Sequence, residues 1–178
     1  VYDYLRLLFA RIGTPHCPIC GREVRQQSAQ EIVEAVEALP EGSRILVLAP
    51  LVRGRKGTHL AVIDEMRRSG FVRLRVDGAV REVEEEFKLD RYKKHDIEAV
   101  VDRLVIRSLE GQDAQAFRTR LTDSVETALR WGEGTLIVGD AGGDPAKDIP
   151  FSEHLACPEH GTTLSEIEPR TFSFNTPH

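Results

Sequence analysis

No stretch of this sequence is apolar for long enough to span a bilayer, and no secretory leader pattern opens it, so neither insertion nor export is expected. Cysteine is scarce: three in 178 residues, an odd number that cannot all pair within one chain. Two of the three form a Cys-x-x-Cys, Cys17 and Cys20, which reads as metal or redox chemistry in a reducing compartment. The expected location is therefore the cytoplasm. Also missing are GxxxxGK followed by Ser or Thr, GxSxG and HExxH. Serines are few, and none has a histidine in a suggestive context. His95 beside Asp96 reads as a turn contact, with a general-base pair as the lesser alternative. The chain is expected not to be an enzyme by itself. Internal repeats are absent as well.

What is present is an ordinary globular composition, 40% hydrophobic and 30% charged. The length suffices for one domain with a real core plus a smaller appendage. A net charge of −5 argues against a generally basic nucleic-acid binder. Yet the charge is uneven. Positive groups cluster at Arg53, Arg55 and Lys56, at Arg67, Arg68, Arg73 and Arg75, and from Arg91 to His95, with an acidic run from Glu82 to Glu86 between the last two. The plain reading is solvated loop and strand charge. The chain opens on an apolar helical pattern with no Met or cap and stops on FSFNTPH, so a fragment of something longer is expected.

Hydrophobic spacing predicts a helix over 2–11 with Leu5, Leu8 and Phe9 on one side. Ser28 followed by Glu31 is a capping-box pattern heading a helix with Ile32, Val33, Val36 and Leu39. RILVLAP, residues 44–50, reads as a buried strand, and VRGRKG after it as a loop. Thr58 is the expected cap of a helix to Ser69, with Gly70 past its end. FVRLRVD alternates: Val72, Leu74 and Val76 face one way, and Phe71, Arg73, Arg75 and Asp77 the other. Asp77-Gly78 signals a hairpin returning over 80–83. Residues 95–107 read as a central strand, 114–131 as a helix and 134–138 as a last strand. The expected fold class is α+β: a mostly antiparallel sheet with two or three helices on one face, inserted into a small zinc-knuckle neck. The expected divisions are residues 1–27 and 143–178, carrying the two half-sites, around an interaction domain over 28–142.

Those half-sites are CPICG and CPEHG. Ligands at i and i+3 can point into one tetrahedral site, and the following Gly can take a positive φ that turns backbone amides toward a thiolate. Cys17, Cys20, Cys157 and His160 make a complete Cys₃His set that uses every cysteine. Such a site would hold zinc structurally, because four protein ligands leave no open position for water. The alternatives are two unrelated turns or a redox pair. His16 and His154 have the wrong spacing for a knuckle. If one ion is shared, the chain between the half-sites leaves and re-enters at one point.

Binding remains as the function class. Arg73 and Arg103 interrupt strands that should be at least half-buried, and by parity Arg103 shares a face with Val101 and Val105. With helices on the opposite face, an arginine-plus-apolar sheet surface is left open, a composition suited to a protein–protein hot spot.

YDYLRLLFARIGTPHCPICG, VLAPLVRGRKGTH, GFVRLRVDG, KLDRYKKHDIEAVVDRLVIR, FSEHLACPEHG and LSEIEPRTFSFN together resemble the UvrA family, the damage-recognition ATPases of the bacterial UvrABC excinuclease in nucleotide excision repair. The resemblance is collinear over nearly the whole chain. It implies a piece of the first ATP-binding half with an inserted domain that docks the helicase-like partner UvrB. ATP would belong to the parent protein and not to this piece, and DNA would be met through the parent. The resemblance carries Arg73 and Arg103 over as UvrB contacts, with Arg75 beside them, and Arg53, Arg55 and Lys56 as weaker candidates for DNA or the partner. Where the family often has cysteine, this chain has His160. The alternative is a zinc-containing DNA-binding module whose basic loops grip phosphates.

Overall fold

The structure is a computed structural model, and it describes residues 2–24, 26–142, 144–155, 157 and 169–172. The chain divides into two compact units, Val1–Gln26 with His154–His178 and Gln27–Glu153. The elements in chain order are α1 (Tyr2–Ile12), α2 (Ala29–Glu37), β1 (Arg44–Lys56), α3 (Leu60–Arg68), β2 (Arg73–Val76), β3 (Ala79–Glu82), β4 (Lys94–Val105), α4 (Gly111–Trp131), β5 (Thr135–Asp140) and β6 (Ile149–Ser152).

In the larger unit the six strands form one sheet in the order β3-β2-β4-β1-β5-β6, and every adjacent pair is antiparallel. The fold is α+β. Strand alternation builds the core. Ile45, Val47 and Ala49 of β1, Leu74 and Val76 of β2, and Ile97 and Ala99 of β4 pack in one cluster with Ile32, Val33 and Val36 of α2, Ile63 and Met66 of α3, and Leu121, Val125 and Leu129 of α4. Three helices thus share one face of the sheet. The opposite face is buried at Leu46 and Leu48, at most 1% exposed, and at the polar residues Arg75, Glu98 and Ser152.

The local signals explain the helix starts. Glu31 N–H donates to Ser28 Oγ at 3.3 Å while Ser28 N–H donates to Glu31 Oε2 at 2.7 Å, a complete capping box. At the next helix the expected cap shifts by one: His59, with φ of 49°, occupies the N-cap position instead of Thr58. Gly70 follows α3 with φ of 84°, as its place past the helix end requires. Asp77 and Gly78, at φ of 50° and 83°, make the tight turn of the β2–β3 hairpin.

Three strand expectations need correction. VRGRK is not a loop. Gly54, at φ of 55°, gives β1 a bulge opposite Asp96, and the ladder then resumes with Arg55 opposite His95 and Lys56 opposite Lys94. A second bulge lies in β4, where Leu48 faces Val100 but Val47 faces Asp102. It reverses parity, so Val101 packs toward the helix-side core while Arg103, opposite Leu46, points to the other face. Finally, residues 149–152, read as part of the return segment, pair with β5 as β6 and bury Phe151.

In the smaller unit α1 buries none of its residues, and Leu5, Leu8 and Phe9 are 42%, 50% and 54% exposed. Phe9 packs against Phe172, with ring centroids 5.8 Å apart.

Candidate metal centre and docking face

Residues 14–24 form a small knuckle. The amide of Cys17 donates to Arg22 O and that of Gly21 to Cys17 O, both at 2.8 Å, and Val24 N–H closes the hairpin on Pro15 O at 2.8 Å. Gly21 has φ of 70°, the conformation that lets the chain reverse right after Cys20. The result brings Cys17 and Cys20 onto one spot, and Cys157 meets them there. The three sulfurs lie within 4.8 Å of one another, and Cys20 Sγ and Cys157 Sγ are 3.8 Å apart, across 137 positions of sequence. That separation is far beyond a disulfide bond. It equals the edge of a tetrahedron of sulfurs about 2.3 Å from a central zinc, about 3.8 Å. Cys17 and Cys157 are buried, with Val24 beside them and Leu155 packed on the cluster.

The electrostatics prepare a thiolate. The backbone amide of Cys20, helped by that of Ile19, lowers Cys17 from its ordinary value to about 6 against the opposing pull of burial. For Cys20 the Arg22 amide is the largest influence and pulls down, but burial and the crowding of the Cys17 and Cys157 sulfurs together leave it raised. One sulfur is ready to ionise and a second resists while the first is charged. A cation among them removes that conflict. Three thiols so placed could hold a metal ion. The fourth expected ligand, His160, lies outside the described residues. His16 is turned away, its Nδ1 2.9 Å from Thr14 O.

The basic candidates separate into three groups. Arg103 is exposed on the helix-free face, and Arg73 lies on the same face with its side chain 44% exposed and Nη2 3.7 Å from Glu82 Oε1. Arg75 also points to that face but is only 3% exposed. Its guanidinium meets Glu98 through Nε at 3.1 Å and Asp148 through Nη2 at 2.7 Å, tying β2 to β4 and to the segment entering β6. Burial works against its charge, yet Asp148 and Glu98 hold it more firmly protonated than usual, while burial pushes the Glu98 carboxyl up. A residue so enclosed is no docking contact; alternation placed it on the right face, but its carboxylate partners come from elsewhere in the chain. The third group, Arg53, Arg55 and Lys56, forms the far end of β1. His95 pairs not with Asp96 but with Asp77, at 2.7 Å.

Residues 27–142 match a family model described as "UvrA interaction domain". The chain belongs to the UvrA interaction-domain family. It is 54% identical over 179 residues to UvrABC system protein A of Methanothermobacter thermautotrophicus, covering 100% of this chain and 18% of that protein. It is also 52% identical to the namesake of Clostridium acetobutylicum over 178 residues and 46% identical to that of Bacillus subtilis over 177, covering 99% of this chain in each case. The chain therefore spans about 18% of the length of these relatives. The matched family segment begins where the larger unit begins but ends before β6.

Proposed function

We propose that residues 27–153 are the module by which a nucleotide-excision-repair damage sensor docks UvrB, and that the contact surface is the helix-free sheet face around Arg73 and Arg103. The observation that carries this reading is the β4 bulge, which turns Arg103 outward onto the face that already bears Arg73. Exposed arginines beside the partly exposed aliphatics Val100 and Ile137, both paired with Leu48 on that face, make a surface of hot-spot composition. Interaction-domain membership implies a protein partner. Cys17, Cys20 and Cys157, with His160 as fourth ligand, hold a structural zinc in a cytoplasmic protein, supported by the thiolate-stabilising amides and the sulfur spacing. Catalysis and ATP binding reside elsewhere in the longer protein. The test is titration of this chain with purified UvrB, beside an Arg73→Glu/Arg103→Glu variant whose fold is checked by circular dichroism. The double reversal weakens binding by roughly a hundredfold or more if both are hot-spot arginines. Equal affinity of the folded variant and the wild type refutes this face, and no binding by the wild type refutes UvrB docking by this chain.

A further inference from the structure

The two basic stretches that the sequence separates, residues 53–56 and 91–94, come together in the fold. Lys56 stands opposite Lys94 in the β1–β4 ladder, and Arg55 opposite His95. Beyond Leu48 on β1 and Ile97 on β4 no third strand continues the pairing, so the two strands run on as a ribbon with only each other as ladder partners among the described residues. Arg55, Lys56, Lys93 and Lys94 are all exposed, and none has a carboxylate partner among the described residues. Other cations of the unit are matched, Arg81 with Glu85, Arg118 with Glu37 and Arg120 with Asp102, and those unmatched among the described residues, such as Arg44, Arg68 and Arg130, stand singly rather than opposite one another in a ladder. Like charges directly opposite on neighbouring strands destabilise a ladder. The carboxylates closest in sequence do not relieve them. Asp96 accepts the Gly54 amide at 2.7 Å, Asp90 accepts the Tyr92 amide at 2.9 Å, and Asp77 is taken by His95. A chain of net charge −5 thus concentrates unneutralised positive charge at one ribbon end.

From this juxtaposition we infer that the β1–β4 ribbon end is a binding site for the phosphate backbone of duplex DNA, separate from the Arg73–Arg103 face. Strand alternation puts Arg55 on one face of the ribbon and Lys56 with Lys94 on the other. A single protein surface laid against the ribbon meets only one of those faces. The major groove of a duplex, about 12 Å wide, admits a two-stranded ribbon and offers a phosphate row on each side. The Gly54 bulge and the His95–Asp77 contact at the ribbon's base fix its course.

The experiment is fluorescence anisotropy of a short mixed-sequence duplex titrated with the full chain across salt. Four phosphate contacts predict an affinity that falls about a hundredfold between about 50 and 200 mM salt. A Lys56→Gln/Lys94→Gln variant roughly halves the logarithmic salt slope and binds more weakly at low salt. Arg73→Gln/Arg103→Gln leaves both unchanged. All four substitutions are at solvent-facing positions, and circular dichroism confirms the fold of each variant. No duplex binding by the wild type overturns the inference, as does equal weakening by the two variants, which marks a general charge effect. A ribbon variant that keeps DNA but loses UvrB also overturns it, assigning the ribbon to an acidic protein surface.

Discussion

Residues 27–153 bury 24 apolar side chains in one continuous cluster, whereas the described residues of the other unit bury three, and two of those are cysteines. Each fully buried Leu or Ile contributes about 1.5–3 kcal/mol, so the larger unit has a hydrophobic driving force of its own. The smaller one has little to replace a metal ion with. With the proposed zinc, the difference predicts different dependences: one unit stands by packing, the other by ligation. The sole tryptophan, Trp131, sits in the larger unit edge-on to Phe71 with ring centroids 5.3 Å apart, and so reports on that unit alone.

The largest effect is expected from metal removal. On the proposed zinc reading, a chelator releases one zinc per chain, read with a colorimetric indicator, and amide protection at Gly21 and Val24 is lost because structural zinc carries most of the folding free energy of such knuckles. The Trp131 melting transition stays in place. A Trp131 transition that moves with the metal breaks the comparison.

Next in size is a contrast within β2. Arg75→Ala leaves Glu98 buried without its cation and costs about 3–5 kcal/mol, measured by urea unfolding at Trp131. Arg73→Ala, two residues away, removes an exposed pair worth at most about 1 kcal/mol. Equal costs would mean that the Arg75–Glu98–Asp148 group is not what holds β2, β4 and the approach to β6 together. Smaller still, Ser28→Ala removes the cap of α2 and costs about 1 kcal/mol in the same assay.

These sites also show what the sequence could reveal. Ser28–Glu31 and Asp77–Gly78 were legible because cap and turn chemistry is local: the residues that signal the structure also make it. The spacing of Cys17 and Cys20 is a local signal, and Cys157 meets them in the fold, while its expected companion His160 lies outside the described residues. The two β-bulges were not. Gly54 reads as a loop residue unless the opposing Asp96 is known, and nothing local to Val101 and Arg103 shows that parity reverses between them. Alternation shows the face of Arg75 but not its burial, which depends on Glu98 and Asp148, the latter 73 positions away. β6 is short, contains Pro150 and gains its identity from pairing with β5.

The subtlest expected effect concerns His95, where protonation can be read from geometry. Its Nε2 is 2.9 Å from the Asp90 carbonyl oxygen, which can only accept, so Nε2 donates. Its Nδ1 is 2.7 Å from the Asp77 carboxylate, which also accepts when ionised. Both ring nitrogens thus face acceptors, an arrangement that favours the doubly protonated ring. Asp77 foremost, then the Asp90 carbonyl, raise His95 above its ordinary value. Burial pushes the Asp77 carboxyl up, but His95 and the Asp96 amide together hold it below the usual range. The other polar groups near the ring are Asp96, Lys94, Arg55 opposite on β1, and His59, whose ring lies edge-on at 6.3 Å. A histidine raised by folding contributes fully below its unfolded value of about 6.5, and the contribution fades as pH climbs through the folded value. Asp77 acts in the opposite sense and loses its contribution only in acid. The Trp131 unfolding midpoint should therefore fall as pH rises from about 6.5 toward the alkaline side, and His95→Gln should flatten that fall while leaving the acid limb to the carboxylates. A wild-type midpoint that is level across this range would mean that the Asp77–His95 contact contributes nothing to the larger unit, and that the ribbon's base is held by the Gly54 bulge alone.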